Sequence, residues 1–340
     1  MITVECFKGI PIDYETFLIE RYSSFITTCR YIEVNYATYD INYIVVYKDS
    51  ILTELVIFGI KNGTATCFNS LVEIDQPILT ECTKKIFENY PSIKKIKIVA
   101  SYKEYSLKKA ILYTKTDDNI LTLPQTMAAF LSELGSSTRQ HIRSRRSKLL
   151  RDYPTINFVS KFGVEIEESV TDKIIQLNSD RMKHKGIVPG INDTNKKNIF
   201  KYSQHYGCVV YLELDGLIIA GCIATVLKNE MFLHVFAHDN NFSQYNIGEA
   251  CVCYLVQTTI EKGMPTFHFL WGESEFKKRL LAKPFPLFSY IIFRNYSINY
   301  LFSEVSFLFS TFKNRFMHSE LSKPLKKAIK YYRKSRWKVQ

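Results

Sequence analysis

Apolar and polar residues alternate with period two along EMFLHVFAHD (230–239), give way to the polar, turn-rich NNFSQYNIGEA, and resume as the apolar run CVCYLVQTTIEKG before a second short alternation in TFHFLW (266–271). Period two sends successive side chains to opposite faces of a strand, whereas a long apolar run suits a buried helix, so 230–271 reads as strand, loop, helix, strand. Upstream, 208–214 and 217–227 read as strands joined by an Asp215-Gly216 hairpin turn, and Lys228-Asn229 turns into the strand that opens at Glu230. The order is three antiparallel strands, a helix and a parallel return strand. Before them, 157–162 reads as a strand and 166–185 and 196–206 as helices.

The first half repeats this order. Strands are predicted at 42–47, 51–60 and 64–69, with turns at Asp49-Ser50 and Asn62-Gly63, followed by a helix at 78–90 and a strand at 93–101. VVYKDSILTELVIFGIKN also aligns with YLELDGLIIAGCIATVLKN, setting Asp49 against Asp215 and, with one inserted residue, Asn62 against Asn229. A tandem duplication accounts for both; two unrelated α/β lobes with ordinary hairpins are the plainer alternative. Between the halves, 120–124 reads as a linking strand, 127–134 as a helix, and Ser136 or Ser137 as the cap of a second helix running to about Arg151. That helix carries Arg139, His141, Arg143, Arg145, Arg146, Lys148 and Arg151 but few apolar residues, so it is either a solvated linker face or a set of guanidinium groups for a diphosphate.

The loop-to-helix junction Tyr245-Asn246-Ile247-Gly248-Glu249-Ala250 places a Gly and an Ala where helix N–H groups are unsatisfied, which suits a pyrophosphate. The first half has NSLVEIDQPIL instead, whose Glu73 and Asp75 repel phosphate and whose Pro77 lacks an N–H. Only the second half is therefore expected to bind an anionic donor. The 340 residues carry a formal charge of +12, which calls for an acidic partner, and 46% are hydrophobic, enough for two cores. No RNA-binding signature, zinc finger or helix-turn-helix accompanies the basic run, so nucleic acid is not the expected partner. The eight cysteines form no C-x-x-C pair or zinc spacing, and MITVECFKGIPIDYE lacks a basic-then-apolar leader, so a reduced, cytoplasmic, metal-free protein is expected. The apolar region 286–316 is too often interrupted to span a bilayer. Beyond it, Phe302, Val305, Phe309, Phe312 and Phe316 recur at helical spacing before a basic end, a stripe for packing on the second lobe, with peripheral membrane contact or an oligomer interface as the alternative.

The element order and the junction resemble the GNAT acyltransferase superfamily. LGSSTRQHIRSRRSKLL (134–150), the Arg181 of NSDRMKHKG and WGESEFKKRL (271–280) are similar to its cellulose-biosynthesis (CelD/BcsL-like) branch, relatives of the Fem peptidyltransferases, over roughly 131–281. Phe276 stands where that branch has a Tyr, and His268 where it more usually has Asp. The resemblance implies an α/β chain of tandem GNAT-like domains, each a mixed central sheet flanked by helices. These are 1–125 without a phosphate loop, basic linking helices at 126–153, 154–300 binding acyl-CoA through 245–250, and C-terminal helices at 301–340. It also implies transfer of an acyl group to the amine of a nucleotide-linked amino sugar for surface polysaccharide synthesis. A Fem-like transfer to a lipid-linked cell-wall precursor and a non-catalytic binding protein are the alternatives.

Such chemistry needs a base for the amine, a stabilised oxyanion and a donor held in line. With period two, Glu230, His234 and His238 share a face of their strand, and His234 is the first candidate base, because an imidazole titrates near neutral pH. Asp239 is the second. A packed, hydrogen-bonded core histidine is the competing reading of His234, and Tyr254 reads as core. Arg181, Trp271 and Lys277 are expected at the substrate, Arg181 with an ion pair as its alternative role.

Overall fold

The computed structural model describes residues 2–272 and 274–295, which contain twelve strands in one continuous sheet. In chain order, β1 (Ile2–Lys8) leads through α1 (Glu15–Tyr22) and α2 (Cys29–Asn35) to β2 (Asp40–Lys48), β3 (Ile51–Lys61), β4 (Thr64–Cys67), α3 (Gln76–Asn89), β5 (Lys95–Ser101) and β6 (Ala110–Thr122). Then come α4 (Met127–Glu133), α5 (Ser136–Asp152), β7 (Asn157–Phe162), α6 (Glu168–His184), α7 (Asp193–Tyr206), β8 (Gly207–Leu214), β9 (Leu217–Leu227) and β10 (Glu230–His238). Last are α8 (Ile247–Glu261), β11 (Thr266–Trp271), α9 (Glu275–Arg279) and β12 (Lys283–Phe293). The fold is α/β, as expected, with two lobes of like element order. The Phe stripe and basic residues of 301–340 lie outside the described residues.

The repeat is tighter than the sequence alignment allowed. Leu227 pairs with Glu230 and Lys61 with Thr64, so the turn residues Lys228-Asn229 match Asn62-Gly63 with no insertion, and Asn62 stands against Lys228, not Asn229. Both Asn62 and Lys228 have φ of 50°, as do Asp49 and Asp215, which gives the hairpins the left-handed turns that suit strand twist.

The lobes are joined by exchange. The sheet order β1-β2-β3-β4-β5-β12-β6-β11-β10-β9-β8-β7 places the last strand beside β5 of the first lobe, and β6, laid down before the second lobe begins, beside β11. The segment read as a short link at 120–124 is thus the end of a thirteen-residue strand in the middle of the sheet. Behind the junction, Phe25, Leu71 and Ala100 of the first lobe pack with Tyr202, Phe232 and Leu270 of the second in one apolar cluster.

The two parallel pairs part company beyond their short ladders. β4 and β5 pair over Thr64–Lys95 to Thr66–Lys97; farther along, Leu71 N–H donates to Ala100 O at 2.8 Å and Tyr102 N–H to Val72 O at 3.2 Å, so the chain closes the gap. β10 and β11 pair only from Glu230–Thr266 to Phe232–His268, and the strands then diverge with no such crossing among the described residues.

His268 sits at that last pair. Its Nδ1 is 2.7 Å from Asp118 Oδ2 of β6 and its Nε2 3.1 Å from Glu230 Oε2 of β10, so one ring clamps three strands. Burial alone would lower its pKa, but the hydrogen bonds and charges of Asp118 and Glu230 outweigh it and push the group up to about 9. A histidine whose folded pKa exceeds the unfolded value near 6.5 adds stability that is full below pH 6.5 and lost as pH rises through 9. Denaturant titrations at pH 6.5 and 9.5 are therefore expected to show a loss of the order of 3 kcal/mol. The His268→Gln variant is expected to lack this part of the pH slope.

Candidate functional site

A β-bulge organises the site. Leu233 pairs with Ala224 and Val235 with Ile223, leaving His234 as the extra residue of β10. The insertion reverses the side-chain alternation: Met231 and Leu233 pack with α8, whereas Val235 and Ala237 pack with α6. Glu230, His234 and His238 consequently do not share a face, as strict period two had implied. His238 turns toward α8, and His234 turns toward α7 and the first lobe.

His234 Nε2 lies 2.7 Å from Thr225 Oγ1, and the ring meets Phe25 edge-on at 4.6 Å between centroids. One edge of the ring faces a cavity of about 320 Å³ between α2 and α7, lined also by Tyr31, Asn35, Asn195, Asn198 and Tyr202. The residue is exposed along that edge, and desolvation by the protein packed on its other sides lowers its pKa, so at neutral pH the uncharged imidazole, which can accept a proton, is favoured. Counted from the matched hairpins, Phe68, 1% exposed, stands at this position in the first lobe, where a proton acceptor is absent.

The junction into α8 is built differently from the sequence reading. Gly248 is required by a side chain: a Cβ there would lie 2.6 Å from His238 Nδ1. Asn246 adopts φ 55° and ψ 40°, and its carbonyl accepts from the N–H groups of Glu249 and Ala250 at 3.0 and 3.1 Å. Ile247 is core, and Tyr245 turns its hydroxyl to Asp152 Oδ2 at 3.1 Å. Glu249 is buried in the first helical turn, beside Arg279 at 3.4 Å, with Oε1 enclosed and unpaired. The basic helix is a docked element: Arg145 donates to Gln244 O at 2.6 Å, His141 Nε2 is 3.2 Å from Asn246 Nδ2, and Lys148 lies over the Tyr245 ring. Gly135, without a side-chain bond, takes the N-cap position predicted for Ser136 or Ser137.

The remaining expected residues are dispersed around the gap between β10 and β11. Arg181 of α6, 7% exposed, lies 4.7 Å from the centroid of Phe236, and Asn178 of the same helix donates to Phe236 O at 3.3 Å. Phe276 packs between Phe236 and Phe269, at 6.5 and 6.2 Å, bridging the divided strands. Trp271 is exposed at the end of β11. Lys277 is buried, its Nζ donating to the carbonyls of Phe269, Leu270, Trp271 and Gly272 at 2.7–3.1 Å, so the ammonium holds the end of that strand. Asp239 accepts from Asn241 N–H at 2.9 Å and caps the turn after β10. The sequence reading missed Asp118, whose side chain is fully buried and also receives the Tyr102 hydroxyl at 2.7 Å. The run Asp117-Asp118-Asn119 resembles a polar loop, and only its pairing with β11 and β12 shows otherwise.

Gly248→Val is therefore expected to destabilise the fold by about 1–3 kcal/mol through overpacking on His238. In thermal melts, Gly248→Ala combined with His238→Ala should recover most of what Gly248→Ala loses. Failure to recover would show that backbone, not the imidazole, sets the demand.

Residues 136–278 match the family described as an acetyltransferase (GNAT) domain. No curated protein matches the chain. Among solved structures, FemX superposes with a TM-score of 0.65 at 11% identity, covering 88% of this chain and 100% of its own. L-PGS from Bacillus licheniformis gives 0.56 at 11%, covering 90% and 98%, and a conserved protein of unknown function from Bacteroides thetaiotaomicron 0.54 at 13%, covering 86% and 99%. The bulge and α8 fall within the residues that match the acetyltransferase (GNAT) model, and the two-lobed fold is similar to that of FemX.

Proposed function

We propose that the protein is an N-acyltransferase that takes its acyl group from acyl-CoA and passes it to an amine entering from the cavity between α2 and α7. The observation that carries this reading is the bulge at His234, which sets an uncharged imidazole at the cavity floor two residues beyond the last β10–β11 pair. The donor thioester would lie in the gap, where β10 no longer meets β11 and its N–H groups on that side are free to meet a developing oxyanion. The amine attacks the thioester carbon as His234 accepts its proton. The tetrahedral intermediate then expels CoA as the thiolate, which needs no proton from Phe276. No step calls for a metal. Asp239, committed to its capping bond, serves as the comparison base.

The acceptor proposed is a nucleotide-linked amino sugar. The amide groups of Asn35, Asn195 and Asn198 match hydroxyls, and Lys201 lines an adjoining cleft of about 460 Å³, where Arg30 pairs with Glu33 at 2.7 Å. A lipid-linked cell-wall precursor is the second reading, favoured by the fold shared with FemX. Mass spectrometry of products after incubation with mixed acyl-CoAs and a panel of nucleotide-linked amino sugars tests the proposal. A mass increase on the sugar supports it, and transfer only to a lipid-linked acceptor supports the second reading.

His234→Gln is expected to lower kcat by about 10²–10⁴-fold with the fold intact. Because the protein packed on the ring's inner sides lowers the imidazole pKa below its ordinary 6.5, the parent's acid limb should fall below that pH, leaving activity flat above it. Asp239→Asn, whose amide oxygen can keep the capping bond, should change kcat and stability little. A His234→Gln enzyme with parental kcat and pH profile would reduce His234 to a packing residue.

A further inference from the structure

Arg181 is a buried cation without a counter-charge. Its Nε is enclosed with no hydrogen-bond partner, and among the described residues no carboxylate comes within ion-pair distance. Burial lowers its pKa, and no neighbouring acid opposes that shift. One face of the guanidinium is covered by the Phe236 ring. An unpaired buried charge is costly to hold, commonly several kcal/mol, and persists where something else completes it.

The surroundings add to this. His238, two residues beyond Phe236, feels the positive charge of Arg181 and Lys185 and also has an enclosed, unpartnered Nδ1. Its ring rests against Gly248 at the start of α8, so two enclosed polar nitrogens face the same end of the divided strands. Cation, imidazole and the start of α8 converge there, with Glu249 in the first turn of that helix turned to Arg279 and Asp239 close enough to act on His238, while the aromatic side chains of Phe236, Phe269 and Phe276 line the gap itself.

We propose that Arg181 is the recognition residue for an anionic group of the donor, which completes the guanidinium when the gap is filled. The proposal rests on the reading of the gap as the donor channel. Two sources can supply the anion, a phosphate of CoA or a carboxylate at the far end of the acyl chain, and both match the guanidinium fork.

The test uses thermal shift and calorimetry on the full chain, the parent against Arg181→Met and Arg181→Lys, with inorganic pyrophosphate, CoA, acetyl-CoA and succinyl-CoA as probes. Arg181→Met should raise the melting temperature of the ligand-free protein, because it removes an unpaired charge at similar volume, and should weaken anion binding at least tenfold. Arg181→Lys, which keeps the charge but loses the fork, should fall between, and carries the test if the Met variant fails to fold. A phosphate source predicts weakened binding of pyrophosphate and of every CoA. A carboxylate source predicts unchanged CoA and acetyl-CoA binding with loss confined to succinyl-CoA. A parent that answers pyrophosphate but no CoA removes the acyl-CoA reading and leaves the anion site standing. Equal affinities in parent and variants, or a parent that none of the four probes stabilises, overturns the proposal.

Discussion

β6 is hydrogen-bonded on one side to β11 and on the other to β12, and everything that makes the second lobe a site depends on it. It carries Asp118, which holds His268 at the last β10–β11 pair, and Asn119, which donates to the carbonyls of Leu270 and Gly272 where β11 ends. Lys277 grips the same end of that strand from α9. β11 is thus fixed at its middle and at its C-terminal end by groups outside its own ladder, which lets β10 depart from it without loss of order. A gap between two strands ordinarily exposes unpaired N–H and C=O groups, and here neighbouring side chains supply the missing support.

The two lobes show how little separates an open gap from a closed one. In the first, Leu71 and Val72 cross to the end of β5, Asn69 bonds the backbone of β3 through its side chain, and a buried Phe68 fills the place of His234. In the second, the extra residue of the bulge turns β10 away and leaves an uncharged imidazole at the floor of a cavity. The element order is common to both lobes; the departures lie in a few residues just after the fourth strand of the first and within that of the second.

Local pattern carried much of this architecture. Strands 157–162, 217–227 and 266–271 were readable residue for residue, because each alternation or apolar run is bounded by a strong turn or helix signal. Long-range pairing was not readable. β6 contains Asp117, Asp118 and Asn119, and β12 contains Pro284 and Pro286, residues that argue against a central strand. The prolines are tolerated because β12 has β6 alone for a neighbour until Phe288, where β5 joins. The bulge at His234 was equally hidden, since a single inserted residue leaves no mark on composition and only moves the later side chains of the strand to the opposite face. Gly248 was legible as a demand for a small residue, while its cause, the His238 ring, comes from a strand ten residues earlier.

The exchanged strands also set an order on synthesis. The N–H of Ala100 bonds the hydroxyl of Ser289, and that of Tyr105 the hydroxyl of Tyr290, contacts spanning 189 and 185 residues. Until β12 has left the ribosome, the first lobe has its five strands but an open edge along β5, and β6 lacks the neighbour that joins it to that edge. Such edges are templates for wrong pairing, and contacts this distant in sequence form slowly. The first half of this chain must therefore wait, nearly complete and exposed, for the last strand of the second.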